Sequence, residues 1–431
     1  MLKTIRVEQV RLGMHLHRLE GSWINHPFWK TRFVLTDPAD LARLRASGVR
    51  ACVIDSSKGL DVESEPAAAT PAPPEPPAPP APPVAAPSTS APPPERPAVL
   101  RPARRTSLED EAVIAGKLCA QARRSVSSLH DQARMGRALV VDGCAELVDD
   151  IAASMERNAS ALLGLVRLKS HDDYTFMHSV AVCTLMVVLG RRMGLSEPQV
   201  RDAGLAGLLH DVGKAKIPLS VLNKPGKLSP EEYRLVQHHP RLGHDLLREA
   251  GVATPMALDV CLHHHETPDG KGYPESLSGA ALSLHARMGS VCDVYDAITS
   301  NRPYKSGWGP ADSIAKMAEW TRAGQFDPEV FRAFIDCVGI YPVGSLVRLR
   351  SERLAVVVEH NPAAPVAPRV KVFYSIRAQL TQPTELLDLS QPGCRDQIIG
   401  RESNAKWRFP FLESLVTPGA AAARPPLKEP A

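Results

Sequence analysis

The sequence predicts a multidomain protein in which an all-α domain lies between a small α+β module and a β-rich C-terminal appendage. Apolar residues recur at helical spacing from about residue 106 to residue 340. Alternating polar and apolar residues, which are typical of strands, occur before and after this region, within 1–63 and 341–417. Proline-rich and alanine-rich segments at 64–105 and 418–431 complete the predicted organisation.

The N-terminal module carries both strand and helix signals. Alternating apolar positions within 5–10 and 14–19 predict two strands, and 49–54 predicts another. Asp37 followed by Pro38 predicts a helix start, because Asp caps helices and Pro is favoured at the first helical position. The module lacks a recognisable phosphoacceptor constellation, so it is not assigned as a receiver domain. From its place ahead of the predicted tether, we expect it to regulate the protein or dock a partner.

The segment 64–105 predicts an extended, semi-rigid tether, because proline lacks a backbone donor and fixes φ. The tail 418–431 is predicted to be disordered.

Capping signals divide the helical domain into separate helices. Ser196 predicts the start of a helix that runs into His210, and Ser229 begins a capping box for the next helix. Pro240 is expected to interrupt the helical pattern just after His239. In the C-terminal appendage, three strands are predicted at 345–350, 355–359 and 369–374.

Composition excludes several classes of protein. The net charge of +4 in 431 residues creates no strong basic field, so we expect neither nucleic acid nor an anionic membrane as a partner. The eight cysteines include no Cys-x-x-Cys pair, which fits a reducing compartment. The N-terminus lacks the apolar core of a secretory signal, and the longest apolar run, 180–189, is shorter than the roughly 20 residues of a membrane span. We therefore expect a cytoplasmic protein.

The helical domain contains a set of imidazole and carboxylate side chains at the ends of apolar stretches. Imidazole and carboxylate are ligands for Fe, Mn and Zn, and a two-metal site needs one carboxylate that bridges. Adjacent helical residues diverge by roughly 100°, so a His-Asp pair can reach two metals at once. From spacing alone, a metal site and coincidence remain about equally supported. The candidate ligands are His178, His210, Asp211, His239, His264, His265 and Asp293.

A series of motifs surrounds these residues. They are YTFMHS (174–179), HDVGK (210–214), NKPG (223–226), HPRLG (239–243), HHETPDGKGYP (264–274), DVYDA (293–297) and RPYK (302–305). In this order they resemble the HD-GYP subgroup of the HD phosphohydrolase superfamily, and the resemblance covers about residues 170–310. Residues 1–63 resemble, less specifically, the small module often found ahead of such domains.

The resemblance implies an HD-type helical fold that hydrolyses cyclic di-GMP to linear pGpG and often on to GMP. It assigns the seven candidates as ligands of two divalent metals, Fe or Mn, with Asp211 bridging. Lys214, Gly272, Tyr273, Arg302 and Lys305 would contact the nucleotide or its phosphates, and Asp211 and Lys214 would serve catalysis. The usual outputs of this family are motility, biofilm formation and virulence.

Three neighbours of the candidate ligands have supporting roles in this interpretation. His263 is expected to face solvent or support a ligand, Asp296 to orient a ligand, and Glu266 to hydrogen-bond an imidazole N–H. Some family members carry a Glu one turn before the first His, which adds a third metal. Tyr174 occupies that position here, so we predict two metals.

Two alternatives to a cyclic di-GMP phosphodiesterase stay open. One is a signalling scaffold that binds a nucleotide, or a diguanylate cyclase domain through the Gly-Tyr-Pro loop, without turnover. The other is the same chemistry on a mixed cyclic dinucleotide or a nucleoside phosphate. A second copy of the chain, forming a homodimer, is a further candidate partner.

Overall fold

The computed structural model describes residues 2–20, 33–46, 51–60, 106–167, 174–252, 254–300 and 307–416. By chain contacts the protein divides into two compact units, 1–99 and 100–431. The fold class predicted from the sequence is confirmed, since the helical region is preceded by a small stranded module and followed by a five-stranded sheet. The predicted tether, the predicted tail, and Arg302 and Lys305 lie outside the described residues.

The N-terminal unit contains a four-stranded antiparallel sheet in the order β1-β4-β2-β3 and one helix. The elements are β1 (Leu2–Arg6), β2 (His15–Glu20), β3 (Phe33–Val34), α1 (Pro38–Ala46) and β4 (Ala51–Asp55). The strand predicted at 5–10 is wrong in its second half. Val7–Gln9 form a 3-10 turn, which the Gln9 side chain supports by accepting a hydrogen bond from the Arg6 amide at 3.0 Å.

The second unit begins with eleven helices among the described residues. They are α2 (Leu108–Arg134), α3 (Cys144–Arg167), α4 (Tyr174–Arg192), α5 (Glu197–Leu209), α6 (Leu219–Leu222), α7 (Pro230–Val236), α8 (His239–Glu249), α9 (Pro255–His263), α10 (Leu284–Thr299), α11 (Pro310–Arg322) and α12 (Pro328–Val338).

Local sequence explains where several of these helices begin. Ser229 accepts a hydrogen bond from the Glu232 amide at 3.2 Å, which closes the predicted capping box of α7. Ser196 forms the same kind of box at the start of α5. Pro240 lies in the first turn of α8, where its missing N–H costs no hydrogen bond, so it starts a new helix after α7 has ended.

Helix α4 is the centre of the helical bundle. It packs against α2, α3, α5, α10 and α12. Nearly every residue between 180 and 189 is buried, as expected for a helix that is apolar on all sides. Within the described part of the chain, no helix is long and apolar enough to cross a membrane.

The chain then forms an antiparallel sheet in the order β8-β7-β6-β5-β9, followed by two short helices. Its elements are β5 (Leu346–Leu349), β6 (Arg353–Glu359), β7 (Arg369–Ser375), β8 (Leu380–Asp388), β9 (Ile398–Arg401), α13 (Asn404–Trp407) and α14 (Leu412–Val416). The sequence predicted the three central strands and missed β8 and β9. Both are edge strands, and β8 is largely exposed and contains Pro383, so neither has a strong apolar alternation.

Candidate metal centre

Five helices bring the seven predicted ligands to one place. His178 lies in the first half of α4, His210 and Asp211 directly follow α5, and His239 begins α8. His264 and His265 directly follow α9, and Asp293 lies in the middle of α10. Six of the seven are buried, and His265 keeps 22% of its side chain exposed. The structure therefore places all seven around a shared interior point that remains accessible beside His265.

Backbone carbonyl groups orient three of the imidazole rings. The Nδ1 atoms of His210, His239 and His264 each lie within hydrogen-bond distance of a carbonyl oxygen one helical turn earlier, at 2.8, 2.7 and 3.0 Å. A carbonyl only accepts, so Nδ1 must carry the proton and Nε2 must present a lone pair. The three Nε2 atoms therefore face inward as metal donors.

The Asp211 carboxylate separates the imidazoles into two sets. Its Oδ2 atom lies 3.5 Å from His178 Nε2 and 3.4 Å from His210 Nε2. Its Oδ1 atom lies 3.2 Å from His239 Nε2 and 3.7 Å from His264 Nε2. Each oxygen thus faces a different pair of ring nitrogens, as a bridging carboxylate between two cations requires.

Asp293 lies close to residues of both sets. Its Oδ1 atom lies 2.9 Å from His178 Nε2 and 3.8 Å from His210 Nε2. Its Oδ2 atom lies 3.6 Å from Nδ1 of His265. The candidate ligands include two groups of three residues, His178–His210–Asp211 and His239–His264–His265. Within each group, the donor atoms lie within 4.8 Å of one another.

Unsatisfied polar atoms test whether this set fits metal ions. Among the residues that the structure describes, the buried atoms His210 Nε2 and Asp211 Oδ1 make no hydrogen bond of normal geometry. Burying such an acceptor without a partner costs roughly 1–3 kcal/mol. Here the lone pairs of imidazole and carboxylate groups converge, and no hydrogen-bond donor among the described residues pairs with these two atoms. Cations satisfy such lone pairs, so the residues present fit a divalent metal pair.

Burial and neighbouring charges keep the centre ready to bind cations. Burial lowers the pKa of His265 to about 3 and also lowers the pKa values of His239 and His264, so these rings stay neutral at pH 7. Burial opposes ionisation of Asp211, but the Lys214 ammonium and the facing imidazoles hold its pKa well below the usual range. The centre therefore presents three neutral rings and the charged Asp211 carboxylate.

The contacts of Asp296, His263 and Glu266 can be compared with the supporting roles predicted for them. Asp296 Oδ2 lies 2.7 Å from His178 Nδ1, which is the orienting contact predicted for it. His263 pairs with Asp259 at 2.8 Å and keeps only 15% of its side chain exposed, so it supports the neighbouring structure. The role predicted for Glu266 is wrong. Its oxygens accept from the backbone amides of residues 275 and 277, at 2.6 and 3.1 Å, because the carboxylate lies under the Gly-Tyr-Pro loop.

Three of the five predicted substrate contacts lie among the described residues, next to the candidate ligands. Lys214 forms an ion pair with Asp211 Oδ2 and is 24% exposed. The ring of Tyr273 lies over that of His265, with centroids 4.8 Å apart at 30°. Gly272 packs on its own loop, since a Cβ there would lie 2.4 Å from the Glu266 Cα. This packing explains the glycine without any contact with a ligand.

Sequence reasoning missed two residues that hold the loop. Glu275 forms an ion pair with Arg241 of α8 and lies 3.4 Å from His263 Nε2. These contacts tie the residue after the Gly-Tyr-Pro turn to α8 and α9. The position of Glu275 beside the motif was the only available signal, because Arg241 is 34 residues away in sequence.

Comparisons with known proteins agree with this arrangement. The HD domain family matches residues 147–330, and a family described as a domain of unknown function (DUF3391) matches residues 2–144. A cyclic di-GMP phosphodiesterase of Pseudomonas aeruginosa is 49% identical over 418 residues, which cover 97% of this chain and 96% of that protein.

Two further relatives each match less than half of this chain. The cyclic di-GMP phosphodiesterase response regulator RpfG of Xanthomonas campestris is 37% identical over 182 residues, which cover 42% of this chain and 48% of that protein. The 3'3'-cGAMP-specific phosphodiesterase 1 of Vibrio cholerae is 33% identical over 177 residues, with 41% of this chain and 40% of that protein covered.

Fold and site together define a metal-dependent hydrolase of the HD-domain class. Because the Pseudomonas relative matches over nearly the full length of both chains, this chain belongs to the HD-GYP group of cyclic di-GMP phosphodiesterases within that class.

Proposed function

We propose that this chain hydrolyses cyclic di-GMP to the linear dinucleotide pGpG, and onward to GMP, with a pair of divalent metal ions. The observation that carries the proposal is the Asp211 carboxylate, whose two oxygens face separate pairs of imidazole nitrogens at 3.2–3.7 Å. Family membership supplies the substrate, since the full-length relative is named for cyclic di-GMP.

The seven clustered side chains would hold the two metals, and Fe or Mn is the proposed identity. When bound, such a pair lowers the pKa of a water and neutralises charge on a phosphate. Three of the ligand rings have carbonyl partners on Nδ1, and His178 has Asp296, so their orientation is set before a metal binds.

The chain's own residues bind and orient the diester. Lys214, which is partly exposed beside Asp211, would donate to a non-bridging phosphate oxygen. Tyr273 forms the wall next to His265 and offers its ring to a base and its hydroxyl to a phosphate. Burial raises the pKa of that hydroxyl, so it remains a donor at neutral pH. Arg302 and Lys305 are proposed to contact the second phosphate.

Partners and location are further parts of the proposal. Docking of a diguanylate cyclase domain on the Gly-Tyr-Pro loop and homodimerisation both stay predictions. A cytoplasmic location stays a prediction from cysteine usage, and all eight cysteines are free.

The test is chromatography of cyclic di-GMP incubated with protein that was purified anaerobically and loaded with Fe(II) or Mn(II). Asp211→Ala should abolish turnover, because the two oxygens of this one carboxylate face both sets of imidazoles. Asp245→Ala, which removes an exposed carboxylate of α8, is the matched control and should retain activity.

Parallel incubations with 3'3'-cGAMP separate the substrate alternatives, since one relative is named for that dinucleotide. Faster turnover of 3'3'-cGAMP would assign the mixed dinucleotide as substrate. Bound metal and bound nucleotide without turnover would replace the enzyme with the scaffold.

A further inference from the structure

A cavity outside the metal centre lies where the helical bundle meets the C-terminal sheet. Its volume is about 610 Å³, which falls within the range of small-molecule sites. It is lined by the end of α3, the end of α10, the start of α11 and the segment that carries α13 and α14. None of the seven metal-ligand candidates lines it.

Arg167, the last residue of α3, lines this cavity. Its Nε and Nη1 atoms are buried and make no hydrogen bond with any residue that the structure describes. Arg167 packs flat against Gly344, where an added Cβ would lie 2.1 Å from Nη1 and 2.6 Å from Cζ. Burial lowers the pKa of Arg167, because it outweighs the opposing effects of Tyr295 and Glu413.

Three carboxylates line the cavity, and two of them have partners of their own. Asp312 accepts from Arg401 Nε at 2.8 Å, and Glu402 pairs with Lys406 at 3.3 Å. Burial outweighs the effect of the third, Glu413, on the pKa of Arg167. A guanidinium with buried, unused donors attracts an oxyanion, because its fork matches the paired oxygens of a phosphate or carboxylate.

The remaining lining suits a small organic anion. Trp308 and Phe409 provide ring surfaces, and Ser403 and Asn404 provide polar groups near them. We propose that this cavity is a binding site, separate from the metal centre, for a phosphate-bearing small molecule, with Arg167 as its anchor and Trp308 as a wall. Inorganic phosphate and a nucleoside monophosphate share this chemistry, and the experiment below distinguishes them.

Two further lining residues, Thr299 and Gly307, precede and follow in sequence the segment that carries Arg302 and Lys305. The binding proposal itself does not depend on hydrolysis of cyclic di-GMP, so each can fail while the other holds.

The test is a titration of the full-length chain, freed of metal with a chelator, followed by fluorine NMR of 5-fluorotryptophan. Trp308→Phe assigns the Trp308 resonance among the five tryptophans of the sequence. Inorganic phosphate and GMP are added separately. We expect a saturable shift of the Trp308 resonance, and tighter binding of GMP than of phosphate assigns the nucleotide as the better ligand.

Arginine variants test whether Arg167 binds the ligand that shifts the Trp308 resonance. Arg167→Met should weaken binding by roughly tenfold or more, since it removes a charge-assisted hydrogen bond. Arg167→Lys keeps the charge without the fork and should bind with intermediate affinity. Arg332→Met removes an exposed arginine of α12 and should bind like the wild type.

The apo stability of Arg167→Met distinguishes a binding role from a structural one. Replacing an uncompensated buried charge with an apolar chain should leave the unfolding midpoint unchanged or raise it. The proposal is overturned if neither probe shifts the Trp308 resonance at millimolar concentration. Equal affinity of the wild type and Arg167→Met overturns it as well.

Discussion

Asp296 shows how one carboxylate outside the ligand set orients a ligand. Its Oδ2 atom lies 2.7 Å from Nδ1 of His178, and both residues are buried. Hydrogen bonds to Asp293 and Asp296 outweigh burial and raise the pKa of His178. The ring is therefore held between two carboxylates, with Nε2 directed toward the metal centre.

Asp296→Asn should weaken binding of one of the two metals by roughly 10–100-fold, because the neutral amide orients His178 less strongly. Anaerobic titration with Mn(II), followed by metal analysis, measures this change. Asp336→Asn, which removes a carboxylate paired with Arg192, is the control. Unchanged affinity at both sites would assign Asp296 a structural role only.

Glu266 has a different task, which is to hold the Gly-Tyr-Pro loop from below. In Glu266→Gln an NH₂ group replaces one oxygen and faces a backbone N–H. We expect the amides of Glu275 and Leu277, which now donate to Glu266, to exchange roughly tenfold faster, as the loss of a charged hydrogen bond predicts. Hydrogen exchange with mass spectrometry measures this, and exposed Glu231→Gln is the control. If these amides in Glu266→Gln exchanged as slowly as in the wild type, the role of Glu266 in holding the loop would be contradicted.

At the scale of elements, a buried ion pair joins α2 to α3. Glu111 is fully buried and accepts from Arg157 at 2.7 and 2.8 Å and from Ser154 at 2.8 Å. Burial alone would raise the pKa of Glu111, but these hydrogen bonds lower it. The pair thus holds the first helix of the unit against the bundle.

Glu111→Gln should lower the free energy of unfolding by roughly 3 kcal/mol at pH 7, because Arg157 loses its partner. A depressed pKa contributes stability above the unfolded-state value, roughly 4.3, and that contribution is lost as the pH falls through the folded-state value. The difference between wild type and variant should therefore shrink between pH 5 and pH 3. Urea unfolding measures it, and Glu249→Gln is the control. A difference that is independent of pH would contradict this.

The Gly-Tyr-Pro loop depends on close backbone packing. Gly272→Ala would place a Cβ 2.5 Å from the His265 carbonyl oxygen, so the loop must shift. We expect kcat/KM for cyclic di-GMP to fall by roughly a hundredfold, with metal content unchanged, since Tyr273 is displaced. Gly116→Ala in α2 meets no atom within 4 Å and should leave kinetics unchanged. Wild-type kinetics in Gly272→Ala would contradict the packing argument.

At the scale of the whole molecule, the metal centre connects five helices that are distant in sequence. Metals at 1,000 times their dissociation constant should add about 4 kcal/mol to the unfolding free energy, because they bind only the folded arrangement. Chemical denaturation with Mn(II), and with a chelator, measures this increment. Asp211→Ala should lose it. An equal increment in that variant would place the stabilising metal elsewhere.

Much of this organisation was predictable because the signals are local. Apolar periodicity, capping serines and proline positions predicted the helices and the three central strands of the C-terminal sheet. The order of His and Asp motifs predicted the family. The edge strands β8 and β9 were missed, since an exposed strand carries little apolar alternation.

Tertiary packing was needed wherever a role depends on which groups meet in space. The residue types of Glu266 and Arg167 are visible in the sequence. Only the packed chain places Glu266 against two loop amides. Only it leaves two guanidinium nitrogens of Arg167 buried beside a cavity with no hydrogen bond to a residue that the structure describes. The physical reason is that local patterns report helix, strand and turn preferences, whereas hydrogen-bond partners and burial arise from contacts between distant segments.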